Sequence, residues 1–358
     1  MKRRPAAAYT FSAFSNAYAI YRGARDLGIA AFTNKRKNNF AIPHGLPECA
    51  DDWLVFTEEE SLRRALQGEL MGKFHPSKFP IDLLDDKWAF AVWLSSQPGV
   101  TPCLRQWSLD QKNDVKYPCV LKARHSWHGA EKLARGWICR SSEELELRLA
   151  DLHARPGWIG LFFLQEWLGD SECRVISVCG FHDARDSARN ITAVVERVAA
   201  HERGMSCSAA IATITDEWQL RERSRRILDT LDYTGPFEME YIIVKERVLV
   251  LELNPRFWMQ HAIFFHAGNG LLRRYFEMDT AADYSTGEIG PLVWVDGLHL
   301  LRRMLRLDLK FIWFVAKKMS ARDVRLMIWP PLPTTVAMLW RSMWHKAVAR
   351  FTPLTKCD

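Results

Sequence analysis

The sequence predicts a fold of mixed helices and strands on three observations. Apolar, β-branched stretches of strand length recur along the chain, helical segments opened by Ser, Thr or Asp caps lie between them, and one pair of strands is joined closely enough to form a hairpin. With 358 residues, 48% hydrophobic and 25% charged, the chain is long enough for two or three domains and has an ordinary globular composition.

Residues 8–56 read as a compressed α/β unit. It has a strand over Tyr9–Phe14, a helix over Asn16–Leu27 stopped by Gly28, a strand over Ile29–Thr33 and a third over Trp53–Phe56. It holds no GxGxxG, so nothing in it argues for a nucleotide. Thr57-Glu-Glu-Glu60 has the form of a capping box and opens a helix that stops near Gly68. Asp85 or Asp86 caps a further helix to about Leu94 and sets Lys87 in its first turn, where a cation opposes the helix dipole without structural gain.

Cys119–Ala123 is strand-like and Gly136–Cys139 resumes it, so residues 124–135 form a loop with Gly129, His125, His128 and three basic side chains. Lys122 leaves a buried strand beside that loop, an arrangement suited to covering a polyphosphate. Ser141-Ser-Glu-Glu144 is a second capping box, starting a helix to about His153. Leu161–Leu164 and Arg174–Val178 read as strands joined by QEWLGDSE, which gathers Gln165, Glu166 and Glu172. A strand over Ile191–Val195, a loop with Arg197, His201 and Arg203, and a strand ending near Thr213 precede a helix capped by Thr215, with Leu220, Ile227, Leu228 and Leu231 at core spacing.

The hairpin follows. Tyr241–Val244 and Val248–Leu253 are joined by a charged Lys245-Glu246-Arg247 turn, with Glu240 entering the first strand and Glu252 leaving the second. Glu252 lies inside an apolar strand, VLVLELN, where an ionised side chain is costly unless a cation compensates it. Two carboxylates and the Asn254 amide make three hard oxygen ligands suited to Mg²⁺. Arg256 adds a planar fork of donors for a phosphate or carboxylate.

The ordered set Lys87, Lys122, QEWLG(x)₂E, Glu240, Glu252, Asn254 and Arg256 resembles the ATP-grasp superfamily, most closely the small carboligases similar to carbamoyl-phosphate synthase and biotin carboxylase domains. The resemblance covers about residues 80–290 and implies two α+β subdomains clasping ATP. It assigns Lys87 and Lys122 to the ATP phosphates, Gln165, Glu166 and Leu168 to the adenine, and Glu172 to the ribose. Glu240, Glu252 and Asn254 fall to two Mg²⁺ (or Mn²⁺) ions, and Arg256 with Lys122 to the reacting groups. Gln165 stands where many members carry an acid, the 124–135 loop is poor in Gly, and residues 1–79 are a short version of the family's N-terminal domain.

The implied division is a short α/β domain over 1–79, an ATP-grasp domain over 80–290 with its lid at about 115–165, and a basic, Trp-rich helical extension over 291–358. The implied activity is an ATP-dependent ligase that activates a small-molecule, peptide or glycan carboxylate as an acyl phosphate and joins it to an amine, releasing ADP and phosphate. An ATP-grasp kinase, a ligase with a non-amine nucleophile, and a nucleotide-binding regulatory protein without turnover are the alternatives.

The net charge of +7 is unevenly placed. From Leu301 to Asp358 there are twelve Lys or Arg against three Asp, while the first 300 residues hold 37 against 39 acids. Trp, Met and Leu alternate with these cations at helical intervals, which suits contact with an anionic membrane or an acidic polymer. No nucleic-acid-binding motif is present, and nucleic acid is not expected as a partner. The eight cysteines show no CxxC pair or zinc-ligand rhythm and read as reduced thiols of a cytoplasmic protein. The basic start MKRRPAAAYTFSAF has a short, interrupted apolar part and is not expected to be a signal peptide. Location in the cytoplasm, with peripheral contact at the inner membrane face, is the resulting expectation.

Overall fold

The computed structural model describes residues 7–12, 15–38, 40–76, 80, 83, 85–128, 131–133, 136–168, 173–200, 209–215, 217–267, 270–278, 292–320 and 324–328. The N-terminal unit holds β1 (Ala7–Thr10), α1 (Ser15–Asp26), β2 (Ala30–Thr33), β3 (Trp53–Val55) and α2 (Glu59–Leu66). Its three strands are parallel in the order β2-β1-β3. α1 ends where Gly28 adopts φ +72°, a left-handed conformation open to glycine at no steric cost. Its inner face is small because the helix packs close: a Cβ on Gly23 would sit 2.4 Å from Leu272 Cδ1.

Two expected caps do not form. α2 begins at Glu59 with Glu58 as its N-cap and no side-chain cap bond, so Thr57 lies outside the helix and its buried hydroxyl finds no partner. The helix that Thr215 was expected to cap, Trp218–Thr230, has Glu217 at that position, also without a side-chain bond.

The helix at Lys87 is α3 (Lys87–Ser95), and Asp86 caps it by accepting from the Trp88 and Ala89 amides at 3.0 and 3.1 Å. A second unit follows as β4 (Gln106–Trp107), β5 (Cys119–Ala123), β6 (Trp127–His128), β7 (Glu131–Lys132), β8 (Gly136–Cys139), α4 (Ser142–His153) and β9 (Phe162–Glu166). Four of these strands form a sheet in the order β4-β9-β5-β8, with Leu145, Leu149 and Leu152 of α4 packed on Leu121, Phe162 and Leu164. Within the loop 124–135, β6 and β7 pair with each other; Gly129 lies outside the described residues. Ser141 caps α4 through the Glu144 amide at 3.4 Å, while the Glu144 carboxylate accepts from the Arg140 amide at 2.8 Å.

The main body is built from β10 (Cys173–Asp183), β11 (Ile191–Ala200), β12 (Ala209–Ile214), α5 (Trp218–Thr230), β13 (Thr234–Val244), β14 (Arg247–Asn254), α6 (Gly270–Tyr275), β15 (Leu292–Asp296), α7 (Gly297–Leu305), α8 (Leu309–Ser320) and β16 (Val324–Ile328). Its seven strands run in the order β14-β13-β10-β11-β12-β15-β16. One face of this sheet, with Cys179, Phe181, Val195 and Trp294, shares a core with α1, α6 and the N-terminal strands. The other, with Ile176, Val178, Met239 and Tyr241, packs on Phe90 and Leu94 of α3 and on Leu220, Ile227 and Leu228 of α5. The segment from 291 onward was expected to be helical. Its described part instead adds two strands to the main sheet as well as two helices, because Leu292–Asp296 is an apolar run buried on both faces. Arg197, expected in a loop, lies within β11, and His201 and Arg203 fall outside the described residues.

Candidate active site

The hairpin β13–β14 sets the site. Its register pairs Glu240 with Glu252 and Glu238 with Asn254, so four polar side chains share one face of an otherwise apolar ribbon. A bulge follows Glu240. The turn is tight, with Lys245 at φ +53°.

Three cations converge on these acids. Arg197, on β11, crosses to place Nη2 2.7 Å from Glu240 Oε1. Lys122, on β5, places Nζ 3.8 Å from Glu252 Oε2 and donates to Gln165 Oε1 at 3.3 Å. Lys87, at the head of α3, lines a small recess with Glu59, Asp85, Asp86, Glu252 and Asn254. Glu252, more than a hundred residues from either lysine in sequence, therefore faces Lys122 directly and shares the recess with Lys87.

Burial governs the electrostatics. It pushes the Lys122 ammonium below its ordinary value; the Glu252 and Glu240 charges oppose that shift and the Lys87 charge adds to it. The Glu240 carboxyl is raised, first by burial and then by Glu252, against the pull of Arg197. Burial lowers Arg197, yet Glu240 and Glu238 outweigh it and hold the guanidinium above its ordinary value. The partners outweigh burial at Arg197 and offset only part of it at Lys122 and Glu240.

Glu238 is a candidate-site residue that sequence reasoning missed. It is 5% exposed and accepts from Ser177 at 3.0 Å, Gln260 at 3.1 Å and Asn254 Nδ2 at 3.1 Å. Burial, with Glu240 beside it, raises its carboxyl to about 8, against the opposing charges of Arg197 and Arg256. The alternation Glu238-Met-Glu240 was the available signal, since residues two apart in a strand share a face.

Arg256 leaves the hairpin directly after Asn254-Pro255 and is not free to grip a ligand as it stands. Its Nη2 lies 2.6 Å from Glu59 Oε1 and its Nε donates to the same oxygen at 2.7 Å, with a further bond to the Phe257 carbonyl at 3.1 Å. Glu59 is the first residue of α2, so this pair ties the N-terminal unit to the hairpin. The head of α3 is tied down as well. Asp86 accepts from Arg124 Nε at 3.0 Å and Asp85 from Arg63 at 2.8 Å. Burial acts to raise the Asp85 carboxyl, but His125 and Arg63 outweigh it and hold it below the ordinary range.

At the hinge, Gln165 is buried and faces Lys122, whereas the Glu166 carboxylate turns away to Arg247 at 3.0 Å. The Glu166 amide donates to the Arg105 carbonyl at 2.9 Å, and the Leu168 carbonyl accepts from Cys173 Sγ at 3.7 Å. Glu172 lies outside the described residues. Among the described residues no three His, Cys, Asp or Glu side chains gather as a metal cluster. The candidate magnesium set is two carboxylates and an amide, all oxygen donors, and the Glu252 repulsion that adds to burial in raising Glu240 is what an added cation would relieve. The residues therefore fit a hard divalent ion.

No family model and no curated protein matches the sequence. The fold does have solved counterparts. N5-carboxyaminoimidazole ribonucleotide synthetase from Thermus thermophilus is similar at a TM-score of 0.56 and 15% identity, over 79% of this chain and 81% of that one. The Aspergillus clavatus N5-carboxyaminoimidazole synthase, solved with ADP and aminoimidazole ribonucleotide, gives 0.56 and 12% over 80% and 79%. The biotin carboxylase domain of Hydrogenobacter thermophilus 2-oxoglutarate carboxylase, solved with MgADP and bicarbonate, gives 0.53 and 14% over 78% and 70%. The chain has the ATP-grasp fold.

Proposed function

We propose that this ATP-grasp chain is an ADP-forming ligase that activates a carboxylate with ATP and joins it to an amine. The observation that supports it most is the gathering of four side chains around Glu252: Lys122 as its ion-pair partner, Glu240 as its cross-strand neighbour, and Lys87 and Asn254 in the same recess. In this reading residues 80–290 form the catalytic domain, with the lid at about 115–165, and residues 1–79 help to shape the acceptor side.

Lys87 and Lys122 hold the phosphate oxygens of ATP. Gln165 and the backbone at Glu166 and Leu168 receive the adenine, and Glu172 the ribose. Glu240, Glu252 and Asn254 hold Mg²⁺ or Mn²⁺, as two ions, which when bound offsets charge on the transferring phosphoryl oxygens. The acid's carboxylate oxygen attacks the γ-phosphorus, the bond to the β,γ-bridging oxygen breaks, and ADP leaves with that electron pair. The amine nitrogen then attacks the acyl carbon, the bond to phosphate breaks, and the nitrogen loses its proton. No side-chain nucleophile is required; positioning and fixed charge lower the barrier. Arg256 steadies the acyl phosphate or the substrate carboxylate, which requires that the incoming anion displace Glu59 from its guanidinium.

An ADP-release screen of carboxylates against amines tests this reading, with Glu252→Ala as control. ADP release that needs both an acid and an amine, and that disappears in the variant, supports it. Release that depends on the acid alone, or on neither partner, would replace it with a kinase or a ligase of another nucleophile.

A further inference from the structure

Ten large apolar side chains stand exposed among the described residues, and five of them fall within one short segment: Met304 at 44%, Leu305 at 38%, Leu307 at 79%, Leu309 at 71% and Trp313 at 65%. They occupy the end of α7, the turn that follows it and the outward stripe of α8. The inward stripe is already used, since Phe311 and Val315 pack on Val293, Val295 and Leu300. The exposed stripe is therefore a second apolar face on this helix pair.

Cations frame this face. Between residues 297 and 320 the sequence has six Lys or Arg and one acid, Asp308, and that acid is engaged by Arg303 at 3.0 Å. Arg306 and Lys310 are exposed within the apolar stripe. Lys317, one turn beyond Trp313, holds its ammonium 5.2 Å from the indole centroid. Leu and Trp at one level with Lys and Arg beside them is the composition of a helix lying in a headgroup layer, with the long basic stems reaching toward lipid phosphates.

We propose that the α7–α8 corner docks on an anionic lipid bilayer. Charge complementarity selects that occupant over a second copy of this chain, because a two-fold contact would set Arg306 and Lys310 of one copy against those of the other. The position suits the role. α7 and α8 connect β15 to β16 at one edge of the main sheet, while Glu240 and Glu252 lie on the strands at the opposite edge. Five strand spacings separate β14 from β15, about 24 Å. Docking therefore leaves the cleft open to water. No described helix is long and apolar enough to cross a membrane.

Flotation of the full chain with vesicles tests this. Phosphatidylcholine vesicles containing about 30% phosphatidylserine are expected to carry at least about tenfold more protein than pure phosphatidylcholine at low salt, with the excess lost at about 0.5 M NaCl. Lys310→Glu/Lys317→Glu and, separately, Leu307→Ser/Leu309→Ser/Trp313→Ser should each remove most of that excess while leaving the circular dichroism spectrum and nucleotide binding as in the wild type. The proposal is overturned if the wild type ignores anionic vesicles, or if both variants float as the wild type does. It is also overturned if the wild type is a dimer that the triple variant dissociates, which would identify a second copy as the occupant.

Discussion

The two edges of the seven-stranded sheet handle charge in opposite ways. At the β13–β14 edge Glu238, Glu240, Glu252, Lys122 and Arg256 are largely or fully withdrawn from water, and each has a partner within hydrogen-bonding or ion-pair distance. At the far edge Arg306 and Lys310 stand in solvent among exposed Leu and Trp side chains. The first arrangement couples every group to its neighbours, since a buried charge left alone costs several kcal/mol. In the second arrangement solvent screens each charge, and single changes stay local.

The largest expected effect tests the coupled edge. Glu252→Ala removes a carboxylate from the cleft and leaves buried Lys122 without its nearest anion; a loss of about 10³-fold in ADP release is expected, read by a coupled assay. A rate within a few-fold of wild type would mean that this edge is structural. Next, Glu59→Gln breaks a buried pair with Arg256 and is expected to lower the unfolding free energy by roughly 3–5 kcal/mol in urea titrations.

His261 extends the comparison to a buried group with no acid beside it. Its ring is 0% exposed, Nδ1 lies 2.7 Å from the Trp258 carbonyl, and burial lowers its pKa from 6.5 to about 4. Below pH 6.5 the unfolded chain takes up the proton and the folded chain does not, so stability present at neutral pH is lost as pH falls toward 4. The loss relative to His261→Gln is expected to be about 3 kcal/mol, read from unfolding curves at pH 7 and pH 4. The smallest effect belongs to the solvated edge. Lys310→Glu/Lys317→Glu should change stability by less than about 0.5 kcal/mol and leave ADP release unchanged, which differential scanning calorimetry and the same assay would show.

The same contrast explains how much could be read from the sequence. Glu252 was conspicuous because it interrupts an apolar strand, and its register with Glu240 follows from a short hairpin whose turn fixes the pairing. Lys122 was legible for a like reason, as a charge emerging from the strand Cys119–Ala123. What escaped were partners brought by tertiary packing. Glu59 meets Arg256 across 197 residues and Arg197 meets Glu240 across 43, and no local pattern ties either pair together. The caps expected at Thr57 and Thr215 failed because each helix starts farther along the chain than the motif implied. The strand Leu292–Asp296 was submerged in a segment whose charge and Trp content pointed to helices.

The proposed convergence of Lys87, Lys122, Glu240, Glu252 and Asn254 on one triphosphate is tested most directly by calorimetric titration of MgATP into the purified chain and into Glu252→Ala/Asn254→Ala. The account predicts saturable binding by the wild type that requires both the metal and the nucleotide and is weakened at least about 30-fold in the double variant. Absence of MgATP binding by the wild type, or equal binding by the double variant, would contradict it.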